Sequence, residues 1–321
     1  MKILVTGCAG FIGYHVVLKL LSFNKNHIFG IDNLNDYYDV ELKQSRLKNL
    51  KKNKKFSFKK LDINNNNLVK KLFNKNKFNV IIHLAAQAGV RYSIDNPKVY
   101  FDSNISGFFN IIENSRLNKV KHLVFASTSS VYGDSNKYPL KEEFSTDSPL
   151  SFYAASKKTN EIIAYSYSYI YKLPTTALRF FTVYGPLGRP DMSLFLFTKA
   201  MLNNKKLNIF NRGKHIRDFT YIDDVVESIF RIISKPSKKK VPYSVYNIGS
   251  NRPTKLMTFL KIISKIINKK PKIIYKPLQK GDVYKTHASV NRLYKTINYL
   301  PKTSIELGVK NFINWYKKYY K

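Results

Sequence analysis

The sequence predicts a doubly wound α/β fold: a parallel sheet with helices on both faces, and a smaller, mostly helical second region. Three observations predict it. Short β-rich runs alternate with helical stretches through the first half, as a parallel sheet requires when its crossovers are helices. The first run feeds directly into a glycine turn, Gly7-Cys8-Ala9-Gly10-Phe11-Ile12-Gly13, that opens a helix. After Arg179 the alternation breaks into loops and shorter elements.

Taken in order, Lys2 to Thr6 reads as a strand, Gly13 to Leu21 as a helix and Ile28 to Asp32 as the next strand. Further buried strands are expected at Phe56 to Leu61, Val80 to Leu84, His122 to Ser127 and Thr175 to Phe180. Leu68 to Asn74 and Asp102 to Arg116 supply helices between them. Pro and Gly then punctuate the chain at Tyr184-Gly185-Pro186, Arg189-Pro190 and Lys280-Gly281-Asp282, where a cap is expected. Tyr221 to Ile233 and Ser244 to Ile248 read as a helix and strand returning to the main sheet. Leu256 to Ile267 and Ser304 to Tyr316 read as cap helices. The two domains are therefore expected to interleave, residues 1–179 with 219–248 against 180–218 with 249–321. A length of 321 residues suits such a pair, since single domains run to about 100–150 residues. Lys51 to Lys55 and Ser237 to Lys240 read as exposed charged turns.

Composition narrows the class. No run is long and apolar enough to cross a bilayer, and the start lacks the apolar core of a signal peptide, so a soluble, cytoplasmic protein without membrane insertion is expected. The one cysteine, Cys8, has no partner for an internal disulfide and reads as a small filler of the glycine turn. The histidines show no metal-ligand spacing, so no metal is expected, and His83 reads as a strand-end stabiliser. A formal charge of +36 raises nucleic acid as a partner. The lysines, however, are spread along the whole chain with a matching excess of Asn, Ile, Tyr and Phe, a compositional bias of solvated positions. Weak adhesion to polyanions is expected, without specific nucleic acid binding.

The spacing Gly7, Gly10, Gly13 after a strand and before a helix is the context in which backbone approaches a pyrophosphate at a helix N-terminus. Asp32 closes the next strand at the distance where a carboxylate meets the adenosine ribose hydroxyls. NAD is favoured over NADP, because Asp32 would repel a 2′-phosphate and Asn33-Leu34-Asn35 offers no arginine to offset it. Asp62, ending another strand, is a candidate adenine contact. Tyr153 and Lys157 lie four apart, on one helix face, where a cation near a phenol is expected to depress its pKa as a general base needs. Upstream, Phe125-Ala126-Ser127-Thr128-Ser129-Ser130 crowds hydroxyls at a strand end where a proton relay would sit.

These motifs resemble the extended short-chain dehydrogenase/reductase family, with its Rossmann-type sheet, along nearly the whole chain. Within it, Asp32-Asn33-Leu34-Asn35-Asp36-Tyr37-Tyr38-Asp39, Gln87-Ala88-Gly89-Val90-Arg91-Tyr92-Ser93, Arg179-Phe180-Phe181-Thr182-Val183-Tyr184-Gly185-Pro186, Gly188-Arg189-Pro190-Asp191-Met192 and Arg217-Asp218-Phe219-Thr220-Tyr221-Ile222-Asp223-Asp224 resemble the UDP-glucuronate 4-epimerases of the bacterial capsule type. The resemblance implies NAD as cofactor, held by Gly7, Gly10, Phe11, Ile12, Gly13, Asp32, Asn33, Asp62, Ile63, Leu84, Ala85, Ala86, Asn104, Tyr153, Lys157 and Phe180. It implies Tyr153 as base, Lys157 as its partner on the nicotinamide ribose, and Thr128 as a bridge to the sugar oxygen.

For the UDP-sugar it implies Ser129, Ser130 and Thr182 toward a sugar carboxylate, Arg189 and Arg217 on the diphosphate, Arg91 closing over the sugar and Asp282 on the uridine ribose. A galactose-type epimerase usually carries Asn in place of Thr182, and Arg in place of Gln279. A 4,6-dehydratase usually shows Asp-Glu in place of Ser129-Ser130. UDP-glucuronate to UDP-galacturonate is therefore the favoured reaction, with UDP-glucuronate decarboxylation, another UDP-hexose epimerisation, or a retired RNA-binding member as rivals. A homodimer is implied through helices around Asp102 to Arg116 and Ala154 to Tyr171, with Phe108, Ile112, Ile162 and Tyr169 in the seam.

Overall fold

Alternate residues of a strand face opposite sides of a sheet, and the first strand, Lys2–Thr6 (β1), divides its side chains in this way. Ile3 and Val5 join one core, whereas Leu4 joins another on the opposite face. The computed structural model describes residues 1–23 and 26–320. In chain order, β1 leads into Phe11–Leu21 (α1), His27–Asp32 (β2), Val40–Leu50 (α2), Phe56–Lys60 (β3), Asn66–Lys75 (α3) and Val80–His83 (β4). Two short helices, Tyr92–Asp95 (α4) and Pro97–Tyr100 (α5), precede a π-helical stretch at Phe101–Ser106, which runs into Gly107–Leu117 (α6). His122–Thr128 (β5), Phe152–Tyr171 (α7) and Thr175–Phe180 (β6) complete this half.

Strands pair in the order β3-β2-β1-β4-β5-β6, all parallel, and Tyr243–Ile248 (β10) adds a seventh strand beside β6. This is the doubly wound order with its switch point between β1 and β4, where such sheets open a crevice for a ligand.

The remaining elements are Thr182–Tyr184 (β7), Ser193–Leu202 (α8), Lys206–Ile209 (β8), Ile216–Tyr221 (β9), Ile222–Ile232 (α9), Pro253–Lys255 (β11), Leu256–Ile267 (α10), Lys272–Tyr275 (β12), Asn291–Ile297 (α11) and Ile305–Tyr319 (α12). The cap is mostly helical, and it also holds two small sheets, β11-β9-β7 and β12-β8. Tyr221, expected in a helix, instead ends β9, and the helix begins at Ile222.

A second correction concerns the proposed seam. Phe108 and Ile112 are wholly buried in the core formed with α3, because the sheet claims one apolar face of α6. The apolar side chains left outside include Phe109 and Leu117 on α6 and Ile162, Tyr165, Tyr169 and Ile170 on α7. No helix among the described residues is long and apolar enough to cross a membrane.

Candidate active site

Gly7 sits at φ +68°, and a Cβ there would lie 2.7 Å from the Ala85 nitrogen. At Gly13 it would lie 2.1 Å from the Gly7 carbonyl oxygen. Only glycine permits this approach of the turn to the end of β4. The Leu84 and Ala85 amides donate to the Thr6 hydroxyl at 3.1 and 3.0 Å, fixing the loop that continues through Ala86. Thr6 also pairs with the buried His83 ring at 2.9 Å, which burial and the nearby Lys157 charge hold neutral, with a pKa of about 3.

Asp32 accepts from the Ala9 amide at 3.0 Å and the Leu34 amide at 2.8 Å. Burial pushes its pKa up, and those amides with the Lys43 and Arg46 charges oppose the shift. The neighbouring triplet carries no arginine, yet the fold swings these two cations in from α2. Both are already engaged: Lys43 holds the Asn35 backbone and side-chain oxygens at 2.5 Å, and Arg46 holds backbone carbonyls. Asn33 donates to Asp62 at 3.0 Å, which brings those two strand ends together. Ile63 packs against Gly107. Asn104, in the π-helical stretch, bonds Gln87 on one side and Ser156 of α7 on the other. Phe180 is buried at the end of β6.

Ser151 caps α7 by accepting from the Ala154 amide, so the helix opens at Phe152 and holds Tyr153 in its first turn. Lys157 follows one turn later, 2% exposed, and its ammonium has no hydrogen-bond partner among the described residues. Burial lowers its pKa to about 8. Burial also raises the Tyr153 phenol above its ordinary value, while a hydrogen bond with Thr128 and the Arg189 charge pull it down. The net depression by Lys157 that the spacing suggests is therefore not found. Desolvation outweighs the opposing contributions, and those come from Thr128 and Arg189. Beneath this site Ser127 donates to Glu161 at 2.6 Å, and Arg179 grips the same carboxylate at 2.9 and 2.7 Å, all three buried. A partnerless buried ammonium beside a glycine cradle fits the ribose hydroxyls and pyrophosphate of NAD.

From Tyr153 the hydroxyls continue outward: Thr128 donates to Ser130 at 3.3 Å. Ser130 with Ser129, Thr182, Thr286, Arg217 and Asp282 lines one open cleft of about 100 Å³. Three basic side chains converge on Asp282 without reaching hydrogen-bonding distance: Arg217 at 3.6 Å, His215 at 3.8 Å and Arg91 at 3.9 Å. Arg91 also lies over the Phe210 ring at 4.9 Å. Arg189, expected beside Arg217, lines an adjoining and nearly filled pocket that shares Thr182 with the first. It pairs with Asp191 at 3.0 and 2.5 Å, and Asp191 also accepts from Tyr37 at 3.2 Å.

Sequence reasoning missed Arg46, Asp191, Glu161 and His215. One signal for Arg46 was present, a cation on the Leu42, Leu47, Leu50 stripe of a helix whose apolar face must be buried.

The family model described as the NAD dependent epimerase/dehydratase family matches residues 3–249. The chain is 48% identical to Protein CapI of Staphylococcus aureus over all of both chains. It is 44% identical to the UDP-glucuronate 4-epimerase of Thermodesulfobacterium geofontis over 98% of this chain and 96% of that one. Among solved structures, the UDP-glucuronic acid 4-epimerase of Bacillus cereus in complex with UDP-glucuronic acid and NAD superposes with a TM-score of 0.93, at 33% identity over all of both chains.

Proposed function

We infer the function from one premise: the chain belongs to the NAD dependent epimerase/dehydratase family. It is an NAD-dependent enzyme that inverts a UDP-sugar at C4, and UDP-glucuronate to UDP-galacturonate is the reaction its site supports best. The observation that carries the choice of sugar is the set of small hydroxyls at Ser129, Ser130 and Thr182. They line one cleft with Arg217 and are reached from Tyr153 through Thr128. Hydroxyl donors suit a sugar carboxylate.

In this reading Tyr153 takes the proton of the sugar 4-hydroxyl, and Thr128 holds that oxygen in line. Lys157, its ammonium without a hydrogen-bond partner among the described residues, binds the nicotinamide ribose and stabilises the phenolate once that forms. The glycine turn, Asp32 and Asp62 hold the adenosine end. Bound NAD supplies the acceptor for the C4 hydride and the donor that returns it to the opposite face. Between those events the 4-keto sugar turns about its diphosphate link. Arg217 serves the diphosphate, Asp282 the uridine ribose, and Arg91 closes over the cleft. Arg189 works at the sugar end, since its charge is felt by Tyr153.

A cytoplasmic homodimer supplying a UDP-uronate for polysaccharide synthesis completes the reading. The uncovered Phe109, Ile162, Tyr165 and Tyr169 support the dimer, and a monomer by light scattering at micromolar concentration ends that part. Adhesion to nucleic acid should be non-specific and vanish with salt. The activity is tested by incubating the purified protein with UDP-glucuronate, UDP-glucose and UDP-N-acetylglucosamine and identifying products by chromatography and mass. UDP-galacturonate from the first alone supports the reading; UDP-pentose from it, or turnover of the others instead, overturns the assignment.

A further inference from the structure

Two side chains from the cofactor half reach into the loop that carries Arg189. Arg46 of α2 is 1% exposed. One arm of its guanidinium donates to the Ala9 carbonyl of the glycine turn and to the Tyr38 hydroxyl, both at 2.8 Å. The other donates to the carbonyls of Leu187 at 2.7 Å and Gly188 at 3.5 Å. His15 of α1, on the helix the glycine turn opens, bonds the Pro186 carbonyl through Nε2 at 3.0 Å. A carbonyl can only accept, so Nε2 carries the proton, and burial keeps the ring neutral down to about pH 4.

Three successive carbonyls, Pro186, Leu187 and Gly188, are thus held from the cofactor side. Leu187 stands at φ +56°, a conformation that a leucine adopts only when its surroundings impose it. The next residue but one is Arg189, whose charge reaches Tyr153.

We propose that Arg46, assisted by His15, is a positioning residue: it locks the Pro186–Gly188 turn onto the glycine turn and so sets where Arg189 meets the substrate. This rests on the reading of Arg189 as a substrate contact. The role needs the planar fork, which reaches two backbones at once, so lysine cannot take it over.

A double-mutant cycle tests this, with UDP-glucuronate affinity measured by calorimetry in excess NAD and melting temperature recorded for each variant. Arg46→Met should weaken binding about tenfold or more in the wild-type background, the usual consequence of losing hydrogen bonds from a charged donor. In an Arg189→Gln background it should add less than about twofold, because nothing remains to be positioned. Equal losses in both backgrounds, or no loss in either, overturn the proposal, since a structural role alone is additive. If Arg46→Met does not fold, Arg46→Lys enters the same cycle and should behave likewise; wild-type affinity in that variant also overturns the proposal. A wild-type chain that fails to bind UDP-glucuronate overturns the function reading instead, and the cycle is then read with UDP-glucose.

Discussion

The two halves of the site hold their charged groups differently. On the sheet side Lys157 is buried with no hydrogen-bond partner for its ammonium among the described residues, and its helix face and the strand ends fix its place. On the cap side each arginine already has an acid or a carbonyl: Arg189 is paired with Asp191, and Arg217 donates to the Val283 and Tyr284 carbonyls beside Asp282. Lys157 is thus ready for its ligand in place. A group on the cap side must exchange or share a partner when an anion arrives, so binding there reads out as differences between competing contacts.

The largest effect that sharpens this contrast is on Tyr153. Tyr153→Phe removes only the proton-accepting oxygen, so the fold and NAD content should persist while turnover falls by roughly 10² to 10⁴, the usual worth of general-base catalysis. Steady-state rates near wild type would remove Tyr153 from that role. Lys157→Met should cost rate and also NAD, which denaturing and assaying the purified protein for nucleotide measures. Unchanged NAD content and activity would break the contrast at its clearest point.

Effects on the cap-facing hydroxyls should be smaller and should alter product identity. After oxidation at C4 the C5 carboxylate leaves if its bond aligns with the ketone, so Ser129, Ser130 and Thr182 are expected to hold it out of line. A hydrogen bond to a charged acceptor is typically worth about 1.5–3 kcal/mol, so losing one shifts the partition by about tenfold or more. Thr182→Val, or Ser129→Ala with Ser130→Ala, should slow epimerisation and raise the fraction of UDP-pentose. Normal epimerisation with no added pentose would leave the choice of glucuronate without residue-level support.

Smallest is an acid effect on stability. His83, buried, and His15, half-buried, are held neutral by desolvation, with pKa values of about 3 and about 4 against an ordinary 6.5. The unfolded chain therefore binds more protons between those limits, and stability present above pH 6.5 is lost as pH falls toward 4. His83→Gln should flatten the fall in melting temperature between pH 7 and pH 5. A slope equal to wild type would mean that this imidazole titrates in the folded protein as it does in the unfolded chain.

The same contrast explains what could be read from the sequence. The glycine turn, Asp32, Thr128, Tyr153 and Lys157 are set by strand and helix spacing, so residue order nearly dictates their positions. Ser129, Ser130, Thr182, Arg217 and Asp282 did come together, although only the family resemblance pointed to them. Arg189 lines a neighbouring pocket and not the one that holds Arg217, and its loop accepts a hydrogen bond from Arg46, 141 residues away from Leu187 in the chain, a long-range contact that residue order does not reveal. The Tyr153 pKa was misjudged for a related reason, since spacing reveals a neighbouring charge but not the burial that outweighs it. The added strands of the cap are only 3 to 6 residues long, too short for a periodic pattern to stand out.

The central claim is that one site removes the C4 hydrogen of a UDP-uronate and returns it to the other face, and a labelled substrate tests it directly. UDP-glucuronate carrying deuterium at C4 is converted by the purified protein, and the product is analysed by mass and proton NMR. The expected product is UDP-galacturonate with the deuterium still at C4. Loss of the label to solvent, or its accumulation in free nicotinamide cofactor, would contradict the claim.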